Sequence, residues 1–186
     1  MDGIRQAIKN LNSISATAVP IATARAVNRV AARIITRSIR RVSCDTQLPQ
    51  KLIRQRVRLQ RASSRHSIPK ARLLINRGNL PVIAIGKSRL LLSRRRRDRK
   101  GGGSILKIGK FTFRGAFIQQ LSNGRWHVLR RTDSGRYPVE VVKIALMTPL
   151  TQAFITETEV LIQSDLQKEL AYALKHQLRL YFKRRM

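Results

Sequence analysis

The residues with the most obvious chemistry are Arg94, Arg95, Arg96, Arg97, Arg99 and Lys100, six cations interrupted only by Asp98 and followed by Gly101-Gly102-Gly103. Guanidinium and ammonium groups at this density bind anions. Self-repulsion and the entropy of three glycines both oppose regular structure there. The segment lies between two strand-like runs, so it is expected to be a long mobile hairpin tip carrying a polycation that grips phosphates or an acidic protein surface. Six phosphate contacts on duplex DNA would give a log–log salt slope of about −5, without reading base sequence. No aromatic residues alternate with these arginines, so the base-stacking mode of single-strand binders is not indicated. A solvated loop without a partner is the alternative.

A second set of cations is periodic. Arg25, Arg29, Arg33, Arg37 and Arg41 recur every four residues. On a helix each such step rotates only ~40°, which makes a slowly drifting basic ridge. It reads either as a solvated face or as a contact ridge toward phosphate or an acidic neighbour.

No constellation for catalysis emerges, and the chain is read as a non-enzyme with no cofactor. Gly86-Lys87-Ser88 resembles the end of a phosphate-binding loop, but Pro81 stands where the first glycine is needed, and Arg89-Leu90-Leu91-Leu92 reads as strand, not helix. His66, His127, His176 and Cys44 have no metal-ligand spacing. The nine carboxylates are scattered, which argues against a nuclease. Cys44, the only cysteine, excludes an intrachain disulfide and is expected to be a buried, inert thiol. No apolar run approaches the ~18–20 residues of a membrane-spanning helix. The Arg-rich, acid-poor N-terminus also resembles a transit peptide, but its helical pattern runs on too far for a detachable leader.

These residues need a scaffold. The chain has 186 residues and a net charge of +30, yet its Leu, Ile, Val and Phe content exceeds the ~20% below which a highly charged chain stays disordered. One domain of ordinary size fits the length. Charge is uneven: residues 46–100 hold 17 bases and 1 acid. Residues 3–43 read as helix, with Val27, Val30, Ala31, Ile34, Ile35 and Val42 as an apolar stripe. Pro20 suits a first helical turn, so a short helix over about 3–14 can precede the long one. Lys51–Arg61 reads as a second, basic helical turn or two. Leu73–Ile75, Val82–Ile85, Arg89–Leu92, Ile105–Ile108, Phe111–Phe113, Ala116–Leu121, Trp126–Leu129 and Val139–Ile144 read as strands. Ser122-Asn123-Gly124 suggests a hairpin with the positive φ angles of a type I′ turn, and Asp133-Ser134-Gly135 another turn. Thr148-Pro149 opens a C-terminal helical stretch, either one helix or two collinear ones. The expectation is an α+β fold: a helical arm (1–45), a basic connector (46–70), a mostly antiparallel β-sheet region (71–147) with the long basic hairpin loop, and a C-terminal helix (148–186).

Several stretches carry a resemblance along nearly the whole chain. They are Arg77-Gly78-Asn79-Leu80-Pro81-Val82-Ile83, Leu92-Ser93-Arg94-Arg95-Arg96-Arg97, Gly115-Ala116-Phe117-Ile118-Gln119-Gln120-Leu121 and Asn123-Gly124-Arg125-Trp126-His127-Val128. Further on come Arg136-Tyr137-Pro138, Val141-Val142-Lys143-Ile144, Glu169-Leu170-Ala171-Tyr172-Ala173-Leu174 and His176-Gln177-Leu178-Arg179. In this order they resemble the minor tail protein Z, or tail completion, family of lambda-like tailed phages. Asp45-Thr46-Gln47-x-Pro49 more faintly resembles an Asp-Thr-Gly-x-Leu pattern of wider neck and tail-completion families, with Gln47 departing from the glycine. The resemblance implies a virion structural protein at the head-proximal end of the tail, present in the host cytoplasm during assembly. It implies a homo-oligomeric ring, hexameric to match the tail tube, that meets the tail terminator, tail tube and head–tail connector proteins and no membrane. Six copies would gather 180 formal positive charges, so packaged double-stranded DNA or acidic neighbouring rings become the expected anions. It carries over no catalytic residue. On composition alone, a basic RNA-binding protein of ribosomal type is the alternative.

Overall fold

The computed structural model describes residues 2–65, 68–91, 105–132 and 138–183. It is α+β, with long helices at both ends and, among the described residues, antiparallel strand pairs between them. The chain divides into two compact units. One comprises residues 1–41, 54–76 and 150–186; the other comprises 42–53 and 77–149.

The first unit is built on helix α1 (Asp2–Thr46), up to Arg41, and helix α3 (Met147–Lys183), from Leu150. Contacts such as Ser13–Tyr181, Arg33–Asp165 and Ser38–Ala153 show that the two helices run antiparallel. Ala22 and Ala26 meet Ala173 and Leu170, and such small side chains let the helix backbones approach closely. Further along, Val30, Ile34, Phe154 and Leu161 are buried, following the i, i+3, i+4, i+7 spacing of amphipathic helices. Strands β1 (Val57–Gln60) and β2 (Arg72–Ile75) form a two-stranded ribbon in register Val57↔Ile75 and Leu59↔Leu73. Asn28 ties this ribbon's loop to α1: its Nδ2 donates to the Ala62 carbonyl at 3.0 Å and its Oδ1 accepts from the Ala62 amide at 2.8 Å.

Among the described residues, the second unit holds the short helix α2 (Gln50–Arg54, to Ile53) and eight strands. Strands β4 (Ser88–Leu91), β5 (Ile105–Ile108) and β6 (Phe111–Arg114) form one sheet. Strands β7 (Ala116–Gln120), β8 (Trp126–Arg131) and β9 (Val139–Val141) form another. Strands β3 (Leu80–Pro81) and β10 (Lys143–Ile144) add a small third. Val82, Leu106, Ile108, Ala116 and Val128 make the core, with Phe113, Ile118 and Val142 packed against it. Val142 links the parts: it accepts from the Val82 amide at 3.1 Å and donates to the Val128 carbonyl at 2.8 Å.

Several local expectations change. Pro20 lies inside α1, which is a single helix. The proline removes the bond to the Ala16 carbonyl, but buried alanines at positions 18, 22, 24 and 26 pack the helix on both sides of it. Lys51–Arg61 is only partly helical, because Val57-Arg58-Leu59-Gln60 alternates half-buried and exposed residues as a strand does. Val82–Ile85 is a 3₁₀ turn; a short run apolar at every position can face a core from a turn as well as from a strand. Val139–Ile144 breaks at Val142 into β9 and β10.

The β7–β8 hairpin is present, but only Gly124 takes a positive φ, +73°, while Asn123 does not. Gly124 donates its amide to the Leu121 carbonyl, and Asn123 Oδ1 accepts from the Arg125 amide. This is a three-residue loop with a left-handed glycine, not a two-residue type I′ turn. Cys44 is exposed rather than buried, because it falls on the outer side of the last turns of α1, where Val42 takes the inward position. The stretch 148–183 forms one helix with 147. The turn expected at Asp133-Ser134-Gly135 lies outside the described residues.

Candidate functional site

The sheet β4–β5–β6 has two unlike faces because cross-strand partners share a side. Leu106, Ile108 and Phe113 turn toward the core, and Phe111, opposite Ile108, shares their side. On the other side, register places Arg89 opposite Lys107 and Lys107 opposite Thr112; the next row is Leu91, Ile105 and Arg114. Arg89, Lys107 and Arg114 are exposed, and no ion pair is formed by any of them among the described residues. Like charges directly opposite on neighbouring strands repel and destabilise a sheet. A face that keeps Arg89 across from Lys107, with no carboxylate between them, is therefore suited to an external anion.

Topology adds to this face. Leu91 pairs with Ile105, so residues 92–104 connect two paired strands, as the hairpin reading expected. The six cations of that connection, Arg94, Arg95, Arg96, Arg97, Arg99 and Lys100, lie outside the described residues. Chain connectivity alone attaches them at the Leu91–Ile105–Arg114 end of the basic face. The second sheet is different: Arg130 stands opposite Glu140, and Arg131 lies over the Phe117 ring at 5.5 Å, within cation–π range.

The sequence reading did not single out Arg89, Lys107 or Arg114. A period-2 signal was present on two strands, since core-facing apolar residues flank the cation: Leu106 and Ile108 for Lys107, Phe113 for Arg114; on β4 it was absent, because Leu90 beside Arg89 is itself exposed. Only the register shows that the three share a face.

The arginine ridge occupies α1 in the first unit, and its contacts there are intramolecular. Arg29 reaches Glu169 at 3.2 Å, Arg33 reaches Asp165 at 2.7 Å and also Glu169, and Arg41 reaches Glu157 at 3.6 Å. Arg25 lies 3.2 Å from His176 Nδ1. Arg37 is exposed and makes none of these pairs. The Ser164 hydroxyl and the Arg33 guanidinium hold the Asp165 carboxyl below the usual carboxylate range. Asp165 and Glu169 in turn raise the Arg33 guanidinium above its ordinary value. The i, i+4 ridge thus meets, in antiparallel order, carboxylates that the sequence places more than a hundred residues away.

Among the described residues, no group of three His, Cys, Asp or Glu side chains is placed to hold a metal ion. Among the same residues, no helix is long and apolar enough to cross a membrane.

Residues 1–184 match the family described as Prophage minor tail protein Z (GPZ). The chain is 55% identical over 184 residues to the tail completion protein of Escherichia phage N15, covering 99% of each chain. It is 50% identical over 190 residues to tail completion protein Z of Escherichia phage lambda, covering 98% of each. No solved structure matches it.

Proposed function

Because the chain belongs to the prophage minor tail protein Z family, we propose that it is a structural protein of the phage tail that completes the head-proximal end and makes it competent to join a filled head. The observation that carries this reading is similarity along the whole chain to two proteins named for tail completion. In this reading the protein forms a ring of like subunits beside the tail terminator and tube proteins, is made in the host cytoplasm, and ends in the virion. It catalyses no reaction.

The basic face of β4–β5–β6 and its attached cations are assigned to the genome end in the channel. The support is electrostatic: Arg89, Lys107 and Arg114 share one carboxylate-free face, and six further cations join it at one end. Acidic neighbouring rings offer the other source of anion. The ridge has an outward role through exposed Arg25 and Arg37, since Arg29, Arg33 and Arg41 already hold carboxylates of their own chain.

Two measurements separate the assembly role from the DNA role. In phage made without the protein, tails and filled heads should accumulate unjoined, and the wild-type chain supplied in trans should restore joined particles in electron micrographs. Replacing Arg94, Arg95, Arg96 and Arg97 with Gln removes four possible phosphate contacts, so the log–log salt slope on duplex DNA should flatten by about 3 to 4. An unchanged slope with failed joining would assign these arginines to acidic protein neighbours. Restored joining without the chain would end the tail-completion reading.

A further inference from the structure

The first unit contains an apolar groove of about 530 Å³ between α1, β2 and α3, walled by Ile34, Leu73, Ile75, Phe154 and Leu166. On its α3 side, Ile155 is 54% and Ile162 47% exposed. Isoleucines this open beside a groove mark a contact surface rather than a finished core. Among the described residues, the only carboxylate lining it is Glu159. Three other α3 carboxylates, Glu157, Asp165 and Glu169, are engaged by arginines of α1; Glu159 is exposed and makes no ion pair among the described residues. In a chain of net charge +30, most surfaces repel a second copy. A groove that is apolar and carries a free carboxylate is a place where one can approach.

The same unit has a segment of matching character. Tyr181 donates to Ser13 at 3.2 Å, within one turn of the described end of α3 at Lys183. Beyond that level α1 continues through Asp2–Asn12. The sequence of this overhang sets Ile4, Ile8 and Leu11 at i, i+4 and i+7, with Arg5 and Lys9 beside them; Ile4 is 70% exposed. That is the anchor spacing of a helix that lies in an apolar groove. Eleven helical residues span ~16 Å, the same as the stretch of α3 from residue 155 to 166 along the groove.

The overhang cannot reach its own groove. α1 is one continuous helix, and residue 4 is separated from Val30, in the groove wall, by ~39 Å of helix axis. We propose that the N-terminal helix arm of one subunit docks in the α1–β2–α3 groove of a second copy, with Ile4 on the groove isoleucines and Arg5 on Glu159. This rests on the homo-oligomeric reading above and specifies how neighbouring subunits join.

The test uses the full chain in a Cys44→Ser background, without DNA or tails. Ile4→Cys in one preparation and Ile162→Cys in another should form a disulfide-linked heterodimer on mixing under mild oxidation, well above the yield of Ile4→Cys with a control Thr36→Cys on exposed α1 surface. In sedimentation, Glu159→Arg should weaken self-association by about tenfold, and adding Arg5→Glu should restore it. Circular dichroism of each variant guards against misfolding, and the charge-swap rescue is a readout that unfolding cannot produce. A wild-type chain that is monomeric at every concentration would overturn self-assembly and the arm with it. Wild-type oligomers indifferent to these variants, or cross-linking equal at the control site, would overturn the arm contact alone.

Discussion

Glu169 is 9% exposed and takes hydrogen bonds from two arginines whose own side chains are about half exposed or more, Arg33 at 47% and Arg29 at 61%. Water screens the arginine ends, so the pairs are worth little beyond a good surface network. Replacing Glu169 with Ala should cost ~1 kcal/mol in urea unfolding at low salt, and less in 1 M salt, where the screening length falls to ~3 Å. Asp165 gives a pH signature. Its carboxyl is lowered in the folded state by Ser164 and Arg33, so its contribution to stability is complete above the ordinary carboxylate range and is lost as pH falls through the lowered value. The melting-temperature gap between the wild type and Asp165→Asn should therefore be constant near neutrality and close below about pH 4. A gap that persists unchanged in acid would show that Asp165 acts otherwise.

At the scale of elements, Asn28 gives α1 a two-way hydrogen-bonded tie to the loop of the β1–β2 ribbon. Asn28 both donates to and accepts from the Ala62 backbone, and Ala62 is buried. Asn28→Ala leaves the Ala62 amide and carbonyl without these partners, which should cost ~2 kcal/mol and speed hydrogen exchange at the Ala62 amide ahead of the α1 core. The end of α1 shows a different local solution. Gln47 follows the last helical residue with a φ of +56°, the conformation that favours glycine. It is the position where the wider tail-completion pattern has glycine. Here the glutamine donates from Nε2 to the Cys44 carbonyl at 2.8 Å and accepts from Lys110 at 3.1 Å. Those bonds offset part of the steric cost of a left-handed side chain.

For the whole molecule, charge is shared between the two units: 21 bases and 5 acids in the first, 18 and 4 in the second. Such a chain should gain stability from a polyanion, since a ligand that binds only the folded form raises the melting temperature. A short DNA duplex added at low salt should raise the melting temperature, and the rise should be smaller for the Arg89→Gln, Lys107→Gln, Arg114→Gln variant. Equal shifts for variant and wild type would place the anion elsewhere on the chain.

Periodicity and resemblance in the chain were enough to locate the long helical stretches at both ends, most of the antiparallel strands, the β7–β8 hairpin and the family, but not β1 or the 3₁₀ turn at Val82–Ile85. Helices of this length and alternating strands are local patterns, and a match spread over nearly every segment is hard to mimic by composition. The single basic stretch at 94–100 was equally plain from charge density alone. The partner of the α1 ridge was not legible, because Glu157, Asp165 and Glu169 lie more than a hundred residues from Arg29, Arg33 and Arg41 and are joined to them only by antiparallel helix packing. The basic face was not legible either. Arg89, Lys107 and Arg114 sit on three strands, and a register shift of one residue would turn each of them to the core. Folding also separated Glu159 from its neighbouring carboxylates, leaving it alone beside an apolar groove, because the helix turn that faces three acids toward α1 necessarily faces the fourth away.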